Sequence, residues 1–320
     1  MRLALALILL GCSPSRRVAP LTEAARGGRM PTSWYAGGAT CSATPAFQVH
    51  QYSSGFFILR QPACTNYEKP FLYLIIGSRR ALLLDTGAGG IDVAGVVDTL
   101  LGAWRRTHNN SPVSLIVAHS HGHGDHVAGD SQFRGNANVT LVERDSVSTR
   151  AFFGFSTWPD PAVSIDLGER VLDVIGIPGH QPASLAYYDR TTGVLLSGDS
   201  FYPGRLYVND TAAFVRSIAR LVAFTATRPT TAILGTHIEQ TAEPFTDYPV
   251  GTKDQPNEHH LELTRADLLV LDSTLRGMRG QLTRTRLAHF TIWPQPPSAP
   301  PPASASAVGP AIVRSPATRH

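Results

Sequence analysis

The chain has 320 residues, of which 42% are hydrophobic and 16% are charged, and this composition excludes a coiled coil or a wholly disordered chain. Residues 1–30 contain five arginines and one glutamate, and residues 294–320 contain two arginines and no acid, so the net charge of +4 leaves −2 for residues 31–293. Nucleic-acid binding requires a basic surface on the folded part of a protein, and this charge distribution argues against that class of partner.

The first twelve residues, MRLALALILLGC, have the features of a secretion signal. The apolar run from Leu3 to Leu10 is shorter than the about 20 residues that a membrane-spanning helix needs. The end of the segment, Leu9-Leu10-Gly11-Cys12, resembles the lipobox of bacterial lipoproteins, in which cleavage precedes a cysteine that is then lipidated. We therefore expect a signal peptide at 1–11 and an exported protein, periplasmic or on the outer surface, with a lipid anchor at Cys12. An ordinary signal peptide with an incidental cysteine is the alternative.

The other two cysteines are Cys41 and Cys64, an even pair in a compartment that we expect to be oxidising. This pair permits one structural disulfide. Neither cysteine has a CxxC partner or a histidine at ligand spacing, which argues against a metal-binding or nucleophilic role.

Strand-like and helix-like segments alternate through the middle of the chain. Short apolar runs predict strands at Phe71–Ile76, Ala81–Leu84, Ser114–Ala118, Val171–Ile177, Ser184–Tyr188, Val194–Ser197 and Ala232–Gly235. Apolar residues at helical spacing predict helices at Ile91–Trp104, Thr211–Phe224 and Thr264–Arg279, and the last begins with a sequence close to a capping box. This mixture predicts an α/β fold with helices on the outer faces of sheets.

The two ends of the chain are expected to lie outside the folded domain. We predict an N-terminal linker at 12–40, one catalytic domain at 41–293 and a disordered tail at 294–320. The tail is rich in proline, alanine and serine and cannot bury enough apolar surface to become ordered.

Four histidines and one aspartate stand within eight residues in His119-Ser-His-Gly-His-Gly-Asp-His126. Without a metal, clustered imidazoles would lose hydration and would repel one another when protonated. Imidazole nitrogen and carboxylate oxygen suit zinc or a similar divalent ion, and the two glycines allow the loop to direct its side chains toward one point. The segment is therefore a candidate metal site.

Its core, His121-x-His123-x-Asp125-His126, resembles the signature of the metallo-β-lactamase superfamily, and His119 falls outside that signature. Other motifs of the family follow in its order, and they are Asp85-Thr86-Gly87, Gly179-His180, the strand-ending Gly198-Asp199 and Thr236-His237. The resemblance extends from Phe71 to His237, and we expect it to continue to Trp293. It implies a four-layer αβ/βα sandwich.

The family pattern also implies a site with two divalent metal ions, for which zinc is the expected metal. It assigns His121, His123 and His180 to one ion. It assigns Asp125, His126 and His237 to the other ion, with Asp199 bridging both. Asp85 is expected behind the loop as a hydrogen-bond acceptor, since metal ligands need oriented partners, although a simple turn aspartate is the alternative.

The same pattern implies a hydrolase of small molecules, in which a hydroxide held between the ions attacks a carbonyl. With an aspartate at 199, the chain resembles the glyoxalase II-like and lactonase-like branch of the family. This resemblance favours an ester, thioester or lactone substrate. Asp125 and Tyr202 are the predicted catalytic residues. Tyr202 is expected to act as an oxyanion or proton donor, with a packed aromatic as the alternative, and Tyr207 is a second candidate. Three other functions remain open: β-lactam hydrolysis, di-iron redox chemistry, and ligand binding without turnover.

Overall fold

The computed structural model describes residues 26–34, 45 and 47–296. The predicted signal peptide, the predicted lipid anchor at Cys12 and most of the predicted tail therefore lie outside the described residues. Cys64 is disulfide-bonded, and its predicted partner, Cys41, also lies outside them. None of the described helices combines the length and the apolar character that crossing a bilayer requires.

The described chain contains strands and helices in alternation. The strands, in chain order, are β1 (Gln48–Ser53), β2 (Phe56–Arg60), β3 (Phe71–Ile76), β4 (Arg80–Leu84), β5 (Ser114–Ala118), β6 (Val139–Leu141), β7 (Val163–Asp166), β8 (Val171–Gly176), β9 (Leu185–Asp189), β10 (Val194–Gly198), β11 (Arg205–Val208), β12 (Ala232–Gly235), β13 (Glu262–Leu263), β14 (Thr285–Arg286) and β15 (Thr291–Pro294). The helices are α1 (Val93–Thr107), α2 (Gly124–Val127), α3 (Ser146–Phe153), α4 (Thr211–Thr225) and α5 (Arg265–Gly277).

Two six-stranded sheets form the centre of the fold, with the strand orders β1-β2-β3-β4-β5-β6 and β13-β12-β10-β9-β8-β7. In the first sheet, β1 to β4 are antiparallel, and β4, β5 and β6 are parallel. In the second sheet, the only parallel pair among the described strands is β10 with β12. A small third sheet has the order β11-β15-β14.

The strands in the middle of each sheet are buried on both faces, because helices cover the outer faces. In β3, Tyr73 packs into the apolar layer between the sheets, while Leu72 and Leu74 pack on the layer that contains α1. In β9, Tyr187 joins the central layer and Tyr188 joins the layer that contains α4 and α5. The order is therefore helix, sheet, sheet, helices, which confirms the predicted four-layer sandwich.

Each of the predicted strands and helices is present, with ends that differ by a few residues from the prediction. The capping box of α5 is also confirmed, because the Thr264 hydroxyl accepts from the Asp267 amide and the Asp267 carboxylate accepts from the Thr264 amide. The sequence analysis did not predict eight strands and two helices, most of them short: β1, β2, β6, β7, β11, β13, β14, β15, α2 and α3. β15 includes Pro294, the first residue of the predicted tail.

Candidate metal centre

The predicted ligands follow the carboxyl ends of strands that lie at one edge of the sandwich. The loop after β5 leads into α2 and provides His121, His123, Asp125 and His126. The segments after β8, β10 and β12, all in the second sheet, provide His180, Asp199 and His237. Strand pairing therefore brings together side chains that are far apart in the sequence.

One group of potential ligand atoms consists of His121 Nε2, His123 Nδ1 and His180 Nε2. The separations are 2.9 Å between His121 and His123, 3.1 Å between His123 and His180, and 3.2 Å between His121 and His180. Asp199 Oδ2 lies 3.7 Å from the His121 nitrogen and 3.6 Å from the His180 nitrogen. These four residues form a candidate metal-binding group.

A second group consists of Asp125 Oδ2, His126 Nε2 and His237 Nε2. The Asp125 oxygen lies 3.1 Å from the His126 nitrogen and 3.2 Å from the His237 nitrogen, and the two nitrogens are 3.4 Å apart. Asp199 approaches this group too, at 3.6 Å from His126 Nε2 and 3.4 Å from His237 Nε2. Asp199 is the residue that the two candidate groups share.

These separations fit a small divalent cation. Four ligands in a tetrahedron about 2.1 Å from a zinc ion lie about 3.4 Å from one another. The potential ligand atoms in each group lie within 4.8 Å of one another. The donor set, histidine nitrogens with carboxylate oxygens, is also one that zinc prefers.

Hydrogen bonds at the outer ring nitrogens fix the direction of the histidine lone pairs. His180 Nδ1 lies 2.8 Å from the carbonyl oxygen of Tyr207, and His237 Nδ1 lies 3.0 Å from that of Glu68. A carbonyl oxygen only accepts, so each Nδ1 donates its N–H there. In the neutral ring the lone pair is then on Nε2 and points into the centre.

Asp85 links the two groups from behind. Its Oδ1 accepts from the Ser120 amide at 2.7 Å, and its Oδ2 accepts from the Ser120 hydroxyl at 2.8 Å and from His126 Nδ1 at 2.9 Å. Because the Ser120 hydroxyl donates to Asp85, it accepts from His121 Nδ1 at 3.0 Å. Asp85 thus orients one histidine of each group, in the position expected for it behind the loop.

The electrostatics of the centre favour a bound positive charge. Burial opposes ionisation of Asp199, but His237, His126 and His121 outweigh it and hold the pKa of this carboxyl well below its ordinary value. Burial lowers the pKa of His237, but Asp199 and Asp125 outweigh it and raise the pKa to about 9. The carboxylates therefore attract a cation, and a metal ion would compete with protons for these nitrogens.

His119 lies outside both groups, as the family signature predicts. It is buried, and its Nε2 contacts Asp130 Oδ1 at 2.9 Å. The carbonyl oxygen of His119 accepts a hydrogen bond from the Tyr187 hydroxyl.

The structure places the Tyr202 ring against the His237 ring, edge to face, with 5.7 Å between centroids. The side chain is only 1% exposed, and its hydroxyl contacts the Arg205 carbonyl oxygen and, at 3.0 Å, Glu239 Oε2. In this arrangement the hydroxyl proton is directed at acceptors outside both metal-binding groups. The donor role predicted for Tyr202 therefore requires the hydroxyl to exchange partners.

A cavity of about 370 Å³ opens over the centre. Members of both groups line it, namely His123, Asp125, His180, Asp199 and His237. The rest of its wall includes Tyr67, Lys69, Tyr207, Asn209, Thr252 and Gln255. The centre is thus accessible to a small molecule from one side.

The sequence analysis missed several residues that hold the ligands in place. Asn209 Nδ2 donates to the His180 carbonyl oxygen at 2.6 Å, and Gln181 Oε1 accepts from the Gly122 amide at 2.9 Å. The carbonyl oxygen of Glu68 orients His237. A backbone carbonyl leaves no mark in a sequence, and single amides are too common to be recognised without the fold.

Comparison with known proteins gives one matching family and several distant relatives. The model of the metallo-beta-lactamase superfamily matches residues 69–237. A hydroxyacylglutathione hydrolase from Nostoc sp. is 29% identical over 115 residues, which are 33% of this chain and 45% of the relative. The acyl-coenzyme A thioesterase MBLAC2 from Gallus gallus is 26% identical over 195 residues, which are 52% and 69% of the two chains.

The chain spans about half the length of the hydroxyacylglutathione hydrolases it matches. Among solved structures, a metallo-beta-lactamase from Pontibacter korlensis is 17% identical, with a TM-score of 0.48, and the match covers 72% of this chain and 99% of the other.

Proposed function

Because the chain belongs to the metallo-β-lactamase superfamily, we propose that it is a hydrolase that uses two divalent metal ions, with zinc as the expected metal, to cleave an ester, thioester or lactone. One observation carries the proposal. Two groups of metal-ligating side chains share Asp199 and line one cavity.

Two ions bound here would lower the pKa of a water molecule and polarise the substrate carbonyl, which is the chemistry that the side chains alone do not supply. The chain itself provides a rigid frame. Asp85 orients His121 and His126, backbone carbonyls orient His180 and His237, and Asn209 fixes the loop that carries His180. Such preorganisation keeps reacting groups aligned without reorganisation during the reaction.

The aspartate at position 199 supports an ester, thioester or lactone substrate over a β-lactam, because zinc β-lactamases usually have cysteine or serine there. The names of two relatives, a hydroxyacylglutathione hydrolase and an acyl-coenzyme A thioesterase, also indicate thioester substrates for those proteins. We therefore place thioesters first among the substrates to be tested. A β-lactam is the second candidate.

The test is a hydrolysis screen at controlled metal content. Protein loaded with two equivalents of zinc should hydrolyse a simple thioester, an aryl ester or a lactone faster than a chromogenic cephalosporin. A chelator should abolish turnover, and added zinc should restore it. Faster cephalosporin hydrolysis would mean that a β-lactam, and not an ester, thioester or lactone, is the preferred substrate. A fully loaded protein that hydrolyses none of these compounds would contradict the proposed activity, and bound iron with reduction of oxygen or nitric oxide would indicate redox chemistry.

We also propose that Tyr202 donates a hydrogen bond or a proton during turnover. Replacing Tyr202 with phenylalanine should then lower kcat by about 10²-fold, the lower end for a general acid or base, with unchanged metal content. The control is Tyr187→Phe, which removes another buried hydroxyl that donates to a carbonyl oxygen. If Tyr202→Phe loses activity and metal in equal proportion, the ring has only a packing role.

We propose export with a lipid anchor at Cys12, based on Leu9-Leu10-Gly11-Cys12. Replacing Cys12 with serine should move the protein from the membrane fraction to the soluble fraction, because a serine cannot carry a thioether-linked lipid. Immunoblots of fractionated cells measure the change. A Cys12→Ser protein that remains in the membrane fraction would exclude the anchor.

A further inference from the structure

Lys69 lies in the turn between β2 and β3, and hydrogen bonds tie this turn to the metal centre. The Glu68 carbonyl oxygen accepts from His237 Nδ1 at 3.0 Å, and the Phe71 amide donates to the Thr236 carbonyl oxygen at 2.8 Å. The backbone of Lys69 is left-handed, with φ of 48°, which is uncommon for a residue with a side chain. The contacts of the residues before and after Lys69 in the chain therefore fix its backbone relative to His237.

The side chain of Lys69 is buried without an acidic partner. It is 1% exposed, and its Nζ donates to the Thr252 carbonyl oxygen at 3.1 Å. Among the residues described in the structure, none places a carboxylate oxygen within 4.0 Å of this ammonium group. The carboxylate of Glu258, which acts electrostatically on Lys69, is already engaged by both terminal nitrogens of Arg60, at 2.5 and 2.6 Å.

The other buried lysine and arginine side chains among the described residues are all arginines, and each is paired with an acid. Arg60 binds Glu258, Arg170 contacts Asp189 at 2.5 Å, and the third, Arg205, contacts Glu239 at 3.2 Å. A buried charge is costly unless an opposite charge or several hydrogen bonds compensate it. Burial accordingly lowers the pKa of Lys69 to about 8, which leaves the group mainly protonated at neutral pH. The unpaired cation is therefore exceptional within this structure.

The wall around Lys69 belongs to the cavity over the metal centre. Lys69, Thr252 and Gln255 all line that cavity. Gln255 is itself 4% exposed, and its amide oxygen has no hydrogen-bond partner among the described residues. One wall of the cavity thus includes an ammonium group with unused donors, and the Gln255 oxygen beside it is an acceptor that leaves those donors free.

The choice of residue at this position is also unusual for the chain. Lys69 and Lys253 are the only lysines in the sequence, against 28 lysines and arginines together. Lys253 is exposed and does not line the cavity. A lysine presents a compact point charge, whereas an arginine presents a planar guanidinium.

We propose that Lys69 binds a carboxylate on the substrate and so selects acyl groups that carry an acid at the end remote from the scissile carbonyl. The proposal deepens the proposed function, because it concerns the same cavity. The carbonyl end of the substrate would lie at the metal centre and the free carboxylate at Lys69. Charge-assisted hydrogen bonds of this kind favour the acidic substrate over a neutral one of equal length.

The first test compares thioesters of N-acetylcysteamine with succinyl, glutaryl and adipyl groups against the butyryl, pentanoyl and hexanoyl thioesters of the same lengths. In the zinc-loaded protein at least one diacid thioester should have a KM about 10- to 100-fold below its neutral partner. Lys69→Met keeps the length of the side chain and should abolish this preference through KM, with little change for the neutral thioesters. Lys253→Met is the matched control and should behave as the wild type.

The second test measures binding without turnover. Only two lysines are present, so protein labelled with ¹³C-lysine gives two sets of side-chain signals, and the Lys69→Met and Lys253→Met variants assign them. Titration with succinate, glutarate and adipate should shift the Lys69 signal saturably. The primary amides of butyrate, pentanoate and hexanoate, which carry no carboxylate, should leave it in place.

The two tests separate the inference from the function on which it rests. If the protein hydrolyses neutral thioesters but no diacid shifts the Lys69 signal, the carboxylate site is wrong and the hydrolase stands. If no thioester is hydrolysed but a diacid shifts the signal, the hydrolase proposal fails and the carboxylate site stands. Equal losses for diacid and neutral thioesters in Lys69→Met, without a diacid-specific shift, would mean that Lys69 only holds Thr252.

Discussion

Replacing Asp199 with alanine is expected to remove most of the bound metal and to lower kcat/KM by on the order of 10³-fold or more. The reason is that Asp199 serves both candidate groups. Its Oδ2 lies 3.6 to 3.7 Å from nitrogens of His121, His126 and His180, and its Oδ1 lies 3.4 Å from His237 Nε2. Metal content by mass spectrometry and initial rates at fixed zinc concentration measure the two effects.

A second variant and a control distinguish a loss of metal binding from misfolding in this experiment. Asp199→Asn keeps the volume of the side chain and an oxygen that accepts from the Thr236 hydroxyl, and it removes the negative charge. We expect it to fold and still to bind less metal. Asp98→Ala, which removes an exposed carboxylate on α1, should change neither quantity. Full metal occupancy with an unchanged rate in Asp199→Ala would contradict the assignment of the centre.

Replacing Asp85 with asparagine is expected to weaken metal binding by about 10- to 100-fold, although Asp85 belongs to neither candidate metal-binding group. The side chain is fully buried, and its backbone has φ of 68°, a conformation that asparagine tolerates better than alanine does. An amide nitrogen in place of Oδ2 would face the N–H of His126. His126 would then favour the tautomer that carries the proton on Nε2. That nitrogen is the one whose lone pair a metal ion would need.

The variant should also be less stable in the absence of metal, by about 1 to 3 kcal/mol, since the Ser120 hydroxyl and His126 Nδ1 both lose the oxygen that accepts from them. Competition with a zinc chelator measures the affinity, and denaturant unfolding measures the stability. Asp130→Asn is the matched control, because Asp130 accepts from His119, a histidine outside both groups. Equal losses of zinc affinity in the two variants would show that Asp85 has no special role.

The two candidate metal-binding groups could be picked out from the sequence because their residue types are rare at strand ends and stand in a recognisable order. His121, His123, Asp125 and His126 are adjacent in the sequence, and the structure brings His180, Asp199 and His237 to the same place. The central strands were predictable for a related reason. Burial on both faces makes them continuous apolar runs, as in β3 and β10.

Other features depend on contacts that a sequence does not display. β1 reads as Gln-Val-His-Gln-Tyr-Ser and alternates between partly buried and exposed positions, so it lacks an apolar run. The orientation of the Tyr202 hydroxyl depends on Glu239, a residue 37 positions away. The isolation of Lys69 follows from the pairing of Arg60 with Glu258, which are 198 positions apart. Such facts emerge only from the folded chain.

The division of the candidate ligands between the two sheets would couple the proposed metal binding to folding. Each group takes two ligands from the loop after β5 in the first sheet and two from the segments after strands of the second sheet. An ion bound in either group would therefore cross-link the two sheets of the sandwich. At free metal concentrations 100-fold above Kd, one such cross-link adds about 2.7 kcal/mol to the stability of the folded state. If the proposed ions are bound, their removal would weaken the connection between the two sheets and expose the chain to proteolysis, so that metal supply would set the lifetime of the protein.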